Sequence, residues 1–227
     1  MSAEIEQAKW AVVLQSRRQP PGCLPDVDDA RVLWSELDVY LALRGFSSDV
    51  AAGDRDTRRQ AVDALGWLGD ERGVSPLLRG LLDEDAEVRR RAAVGLAHFD
   101  VLPGWSVERL GEAISDEDSG VRDSVATALG RCRSYAALEA VASALDDAVA
   151  SVRVSGANAL YELGQHGYRS DDVACKLSGL LDDAIPRVAY AAFWALRWQA
   201  GSASDERCSD WRWSVAGAKA WSRAISG

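Results

Sequence analysis

The residues able to do chemistry are few and scattered. His98 and His166 stand in different parts of the chain. A structural zinc site takes four ligands at tight spacing, so no metal site is expected. Cys23, Cys132, Cys175 and Cys208 form no CxxC pair; they read as reduced thiols rather than a disulfide framework. Neither a GxSxG elbow nor a phosphate-cradling glycine loop is present. Asp63 is a lone carboxylate, read as a solvated acid beside Arg59. No catalytic set and no cofactor are therefore expected. What remains is the chemistry of binding, for which arginine and aromatic side chains are the usual anchors. Arg59, Asp63, Arg90, Asn158, Tyr161, Tyr190, Trp194 and Arg197 are the candidate contact residues.

The elements that must position them recur. Val88-Arg89 leads to Ala92, Gly95 and Leu96; Val121-Arg122 leads to Val125, Ala128 and Leu129; Val152-Arg153 leads to Gly156, Ala159 and Leu160. Thr57-Arg58 and Val188-Ala189 open two further copies, the last with its arginine one place early at Arg187. With the first residue as position 0, small or apolar residues fall at positions 0, 4, 7 and 8. On a helix these share one narrow stripe. Five copies at spacings of 31, 33, 31 and 36 residues signify a repeat array.

Each unit reads as helix A, a tight acidic turn, then helix B. The A helices fall at Ser75–Leu82, Ser106–Ile114, Tyr135–Leu145 and Asp171–Leu181. Asp83-Glu84-Asp85, Asp116-Glu117-Asp118, Asp146-Asp147 and Asp182-Asp183 follow them, where carboxylates can cap the free N–H groups of helix B. Gly66, Gly69, Gly130 and Gly164 read as turn residues after helix B. Arg58, Arg89, Arg122 and Arg153 are expected to meet acids of their own or a neighbouring turn. Exposed pairs of that kind contribute about 0.2–1 kcal/mol each; the apolar stripe would hold the stack and the ladder would fix its register.

Ahead of the repeats, residues 3 to 17 read as an amphipathic helix stopped by Pro20-Pro21-Gly22. A second helix over about 30 to 43 would bury Leu33, Trp34, Leu37, Tyr40 and Leu41. The stretch from Gly45 to Gly53 reads as either a short helix or a loop. Beyond Trp198 a Gly/Ser/Asp-rich loop from Gln199 leads to a last helix over about 211 to 225, rich in tryptophan. The expected division is N-terminal capping helices over 1–48, repeats over 49–200 and a C-terminal cap over 201–227. A net charge of −9 argues against a general nucleic-acid binder, which needs a basic footprint. The start of the chain lacks the basic residues and apolar run of a signal peptide, and no apolar run is long enough to span a bilayer. A cytoplasmic protein is expected.

The run from Leu77 to Ala92 resembles the HEAT repeat, more narrowly the HEAT-like repeat of the phycobilisome-lyase type, and Asp118 to Gly130 is similar to the same unit. The resemblance covers about residues 49 to 198. It implies an all-α fold: an α-solenoid, a HEAT-like superhelix of about five helical hairpins with capping helices at both ends. Such repeats serve mostly as binding scaffolds and occasionally as enzymes. The deoxyhypusine hydroxylases of this repeat type bind two irons through His-Glu pairs; here His98 precedes Phe99 and His166 precedes Gly167, so that motif is absent. Bilin lyases share the repeat, with no catalytic residue to carry over. HEAT-like DNA glycosylases use a basic groove, against which the acidic balance speaks.

In such a solenoid the B helices line a concave face. Positions 2, 6 and 9 point away from the buried stripe, and position 5 sits at its edge. The five units then offer Arg59, Asp63 and Gly66; Arg90, Val94 and Ala97; Asp123, Thr127 and Gly130; Val154, Asn158 and Tyr161; and Tyr190, Trp194 and Arg197. The face begins charged and ends aromatic. The favoured reading is a scaffold, not an enzyme, holding a protein or peptide there. Two alternatives stay open: a small-molecule enzyme, lyase or carrier with an aromatic pocket near the C-terminal cap, and nucleic-acid binding through Arg59, Arg90 and Arg91.

Overall fold

The computed structural model describes residues 3–5 and 36–199. Expectations for 6–35 and 200–227, including the tryptophan-rich cap, lie outside the described residues. The chain divides into two compact units, Met1–Phe99 and Asp100–Gly227. All regular structure among the described residues is helical, and the architecture is an α-solenoid of HEAT-like hairpins.

The first unit contains α1 (Glu36–Ala52), α2 (Arg55–Leu68), α3 (Val74–Gly80) and α4 (Ala86–Ala97). Helix α1 corrects two readings. It continues through Gly45 to Ala52 without a loop, and Tyr40 is exposed. Ala42, Leu43, Phe46 and Val50 are buried instead, a 4-4 spacing that makes the inward stripe. The second unit contains α5 (Val107–Ala113), α6 (Ser119–Gly130), α7 (Tyr135–Ala142), α8 (Ala150–Gln165), α9 (Asp171–Gly179) and α10 (Pro186–Gln199). Here α5, α7 and α9 are A helices and α6, α8 and α10 are B helices.

The repeat stripe is the core of both units. Val88, Ala92 and Leu96 are fully buried, as are Val121, Val125, Ala128 and Leu129, and Val152 and Leu160. Position 5 is not an edge: Val62, Ala93, Ala126 and Ala157 are also sealed from solvent. Consecutive B helices pack side by side, α2 on α4 and α8 on both α6 and α10, which buries a second strip. Small residues permit the approach. A Cβ added to Gly66 would stand 2.5 Å from the Gly95 Cα. One on Gly130 would stand 3.1 Å from Ala159, and one on Gly164 would stand 2.8 Å from the Trp198 Cβ. These three glycines are thus contacts inside helices rather than turn residues. Gly66 and Gly130 do not face the open side. Of the four glycines read as turn residues, Gly69 alone, at φ 61°, ends its helix in the left-handed region.

The acidic turns do two jobs. Asp54, Asp85 and Asp118 cap α2, α4 and α6, accepting from Thr57 N, from Glu87 N and Val88 N, and from Gly120 N and Val121 N. One acid of each turn folds the turn itself: Asp83, Asp116, Asp147 and Asp183 accept from the N–H two residues on. At Asp83, Asp147 and Asp183 the carboxylate also receives the arginine of the preceding repeat. Arg58 donates to Asp83 at 2.6 and 2.9 Å, Arg122 to Asp147 at 2.6 and 3.0 Å, and Arg153 to Asp183 at 2.9 and 3.1 Å. The third guanidinium nitrogen turns back onto carbonyls of its own turn, Arg122 onto Asp116 and Glu117, Arg153 onto Asp147 and Ala148. The ladder is therefore sheltered: the Arg122 and Asp147 side chains are 17% and 11% exposed. Paired, bidentate and shielded, such rungs are stronger than open surface pairs.

Candidate binding faces of the B helices

In the first unit every candidate arginine is already engaged. Arg59 donates to Asp85 at 3.0 and 3.2 Å and lies 3.6 Å from Asp56. Arg55 pairs with the same Asp85. Arg90 forms a fork with Glu87 at 2.9 and 2.7 Å, and Arg91 reaches Glu87 at 2.7 Å and Asp63. Asp63 is thus not simply solvated beside Arg59; its partner is Arg91 on the next B helix. The Arg90 hydrogen bond, the Arg91 bond and the two charges hold the Glu87 carboxyl down at about 2. Desolvation among these side chains raises the Asp63 carboxyl above its ordinary value, with Arg91 pulling the other way. Chemically this is a closed acid–base lattice, with its cations spent on intrachain carboxylates.

The second unit differs. Its face runs from α6 to α10. Asp123 accepts from Ser155 at 3.0 Å, and Asn158 on α8 is exposed. Tyr161 is half-buried; its hydroxyl accepts from the Gln165 amide at 2.7 Å, and its ring meets Trp198 edge to face at 6.3 Å. On α10, Tyr190 meets Trp194 at 6.2 Å, and Phe193 meets Trp194 at 5.5 Å, both edge to face. Such pairs are a favoured aromatic geometry. Tyr190 and Trp194 keep part of their surface open. Arg197 is exposed and lays its guanidinium 5.8 Å from the Trp194 ring centre, within cation–π range. Tyr190, Trp194 and Arg197 therefore form one cluster on α10, while Tyr161 belongs to a second with Trp198.

One residue that ties these helices together is not flagged by pattern reading. Gln199 belongs to α10, not to a loop, and is buried. Its amide donates to Leu160 O at 2.8 Å and Tyr168 O at 3.2 Å, and accepts from Ser170 N at 3.2 Å. It ties the end of α10 to α8 and to the loop before α9. Its signal was only its place eleven residues past Val188, on the stripe side. Arg187 is exposed at the start of α10; the repeat pattern marked it as a displaced ladder residue, whereas it has no ion pair among the described residues. No group of three His, Cys, Asp or Glu able to hold a metal occurs among the described residues.

The sequence matches the description "HEAT repeats" over residues 48–97 and 76–161, together half of the chain. The chain belongs to the HEAT-repeat family. Its fold is similar to that of an engineered protein at a TM-score of 0.60 and 19% identity, covering 87% of this chain and 93% of that one. It is also similar to a designed armadillo repeat protein in complex with the peptide (KR)4, at 0.57 and 16%, covering 86% and 90%. A second engineered protein matches at 0.54 and 20%, covering 72% of this chain. The chain spans about half the length of that protein, 49%. No curated protein matches the sequence.

Proposed function

We propose that this protein is a non-enzymatic scaffold that holds a protein or peptide segment along the exposed side of its B helices, the side read from the sequence as concave. One observation carries the reading: Tyr190 and Trp194 stay part-exposed on α10 with Arg197 stacked beside them. Aromatic rings held rigid by neighbours, next to an arginine, are the composition of binding anchors. Asn158, Tyr161 and the amide of Gln165 supply polar contacts on α8. The peptide-bound designed armadillo repeat protein shares the fold and adds support. Nucleic acid is the weaker reading, because Arg59, Arg90 and Arg91 are neutralised within the chain. No described helix is long and apolar enough to cross a membrane. The free thiols of Cys132 and Cys175 support a reducing compartment, and we place the protein in the cytoplasm.

A photo-crosslinking residue at position 190, compared with one at exposed Glu139 on helix α7, tests the scaffold reading. Capture of one defined partner from position 190, abolished by Trp194→Ala, is the expected result. Capture only from position 139, or capture indifferent to Trp194→Ala, refutes it.

A further inference from the structure

Helix α10 carries arginine but no acid. Its sequence is PRVAYAAFWALRWQ, in a chain whose net charge is −9. Arg187, Tyr190, Trp194 and Arg197 follow one another at steps of three, four and three residues, so all four lie within one face of the helix. Arg187 and Arg197 are exposed, and neither has a carboxylate partner among the described residues. The contrast with the other arginines of the repeat is sharp: Arg122 and Arg153 are consumed by Asp147 and Asp183. On the adjoining α8, Arg153 and Glu162 are both engaged, Glu162 by Arg131 at 3.3 Å. The nearest acids ahead of α10 are Asp182 and Asp183 in the turn; Asp183 is held by Arg153. Among the described residues, a face of two part-open aromatic rings is thus flanked at both ends by an arginine without a carboxylate partner.

We infer that the occupant of this face is an acidic segment with an apolar or aromatic centre. This deepens the scaffold reading and rests on it. The two arginines are ten residues apart, a rise of ~15 Å along a helix. An extended peptide covers that in about four to five residues at roughly 3.3 Å each. The recognised pattern is therefore a carboxylate, an apolar side chain over Tyr190 and Trp194, and a second carboxylate four or five residues after the first. The preference is opposite in sign to the basic peptide held by the designed armadillo repeat protein.

The test uses the full chain and two labelled octapeptides of equal apolar content, four Glu-Leu repeats and four Lys-Leu repeats, read by fluorescence anisotropy. The Glu-Leu peptide is expected to bind roughly tenfold more tightly or better, with affinity falling as salt is raised. The paired substitution Arg187→Glu and Arg197→Glu should invert the preference. Both positions are exposed, so circular dichroism of the variant should match the parent. Tighter binding of the Lys-Leu peptide, still lost with Trp194→Ala, overturns the acidic partner while leaving the binding face in place. Failure of both peptides to bind, or binding indifferent to Trp194→Ala, overturns the acidic partner, and the crosslinking comparison then judges the face by itself.

Discussion

Substituting Gly66 with alanine sets two opposing effects against each other, and the structure says which wins. Alanine in a helix interior is favoured over glycine by about 0.5–1 kcal/mol. At Gly66, however, the new Cβ would sit 2.5 Å from the Gly95 Cα and 3.4 Å from its carbonyl carbon. Carbon atoms are comfortable at roughly 3.5–4.0 Å, so relief requires α2 and α4 to part by about 1 Å. The obstacle is backbone, and no rotamer change removes it. The separation would loosen Val62, Leu65 and Leu96, all sealed in the core. Overpacking of this kind costs about 1–3 kcal/mol, so the net expectation is a destabilisation of about 1–2 kcal/mol after the propensity gain. Gly179→Ala is the matched control. That glycine ends α9, its added Cβ meets nothing within 4 Å, and it should gain a few tenths of a kcal/mol or more. Urea denaturation followed by circular dichroism reads both. A Gly66→Ala protein as stable as the parent would show that the B helices are not held at glycine distance, and the packing argument would fail.

Three further outcomes follow from the same geometry. Glu87 has its carboxyl lowered by Arg90 and Arg91 to about 2; a depressed carboxylate adds stability above its unfolded value and loses it as pH falls through the folded one. The stability gap between parent and Glu87→Gln should accordingly be full near neutrality and close between about pH 4.5 and 2, measured by urea midpoints across that range. A double-mutant cycle on Arg122→Ala and Asp147→Ala should give a coupling above the surface range, about 1–3 kcal/mol; a value under about 0.3 kcal/mol would mean the rung is ornamental. Gln199→Leu removes the partners of Tyr168 O and Ser170 N in a buried setting and should cost about 1–3 kcal/mol, with amide exchange at Ser170 rising first.

Much of this was legible in the sequence because the array repeats itself. Periodicity alone located the A helices to within a few residues, and the buried valines at 88, 121 and 152 lie where the stripe put them. Of the acids ahead of helix B, Asp85 and Asp118 proved to be caps as expected, whereas Asp147 and Asp183 serve as turn and rung residues and α8 opens on Val149 without a side-chain cap. What the pattern hid was tertiary. A glycine looks the same in a turn as at a helix crossing, so Gly66 and Gly130 were misread until the neighbouring helix was seen. Arg91 was read as a possible nucleic-acid contact because its carboxylate, Asp63, sits a whole repeat away. Gln199 looked like the start of a loop, since nothing local tells a polar residue that it will be buried against three backbone groups. The continuation of α1 through Gly45 was obscured likewise, a glycine within a helix being tolerated when Phe46 and Val50 beside it are buried.

The rungs of the ladder carry a consequence for how such a chain grows. Each arginine grips its own turn by the carbonyls and the following turn by the carboxylate. A copied period running from Arg122 through Val152 would bring one new rung arginine, the copy of Arg122, and one new rung aspartate, the copy of Asp147, and each would find its mate in the neighbouring copy. Lengthening by duplication thus strands no charge at the junction. Inserting less than a whole period would separate a donor from its acceptor, so the chemistry itself sets the length of the unit that can be copied.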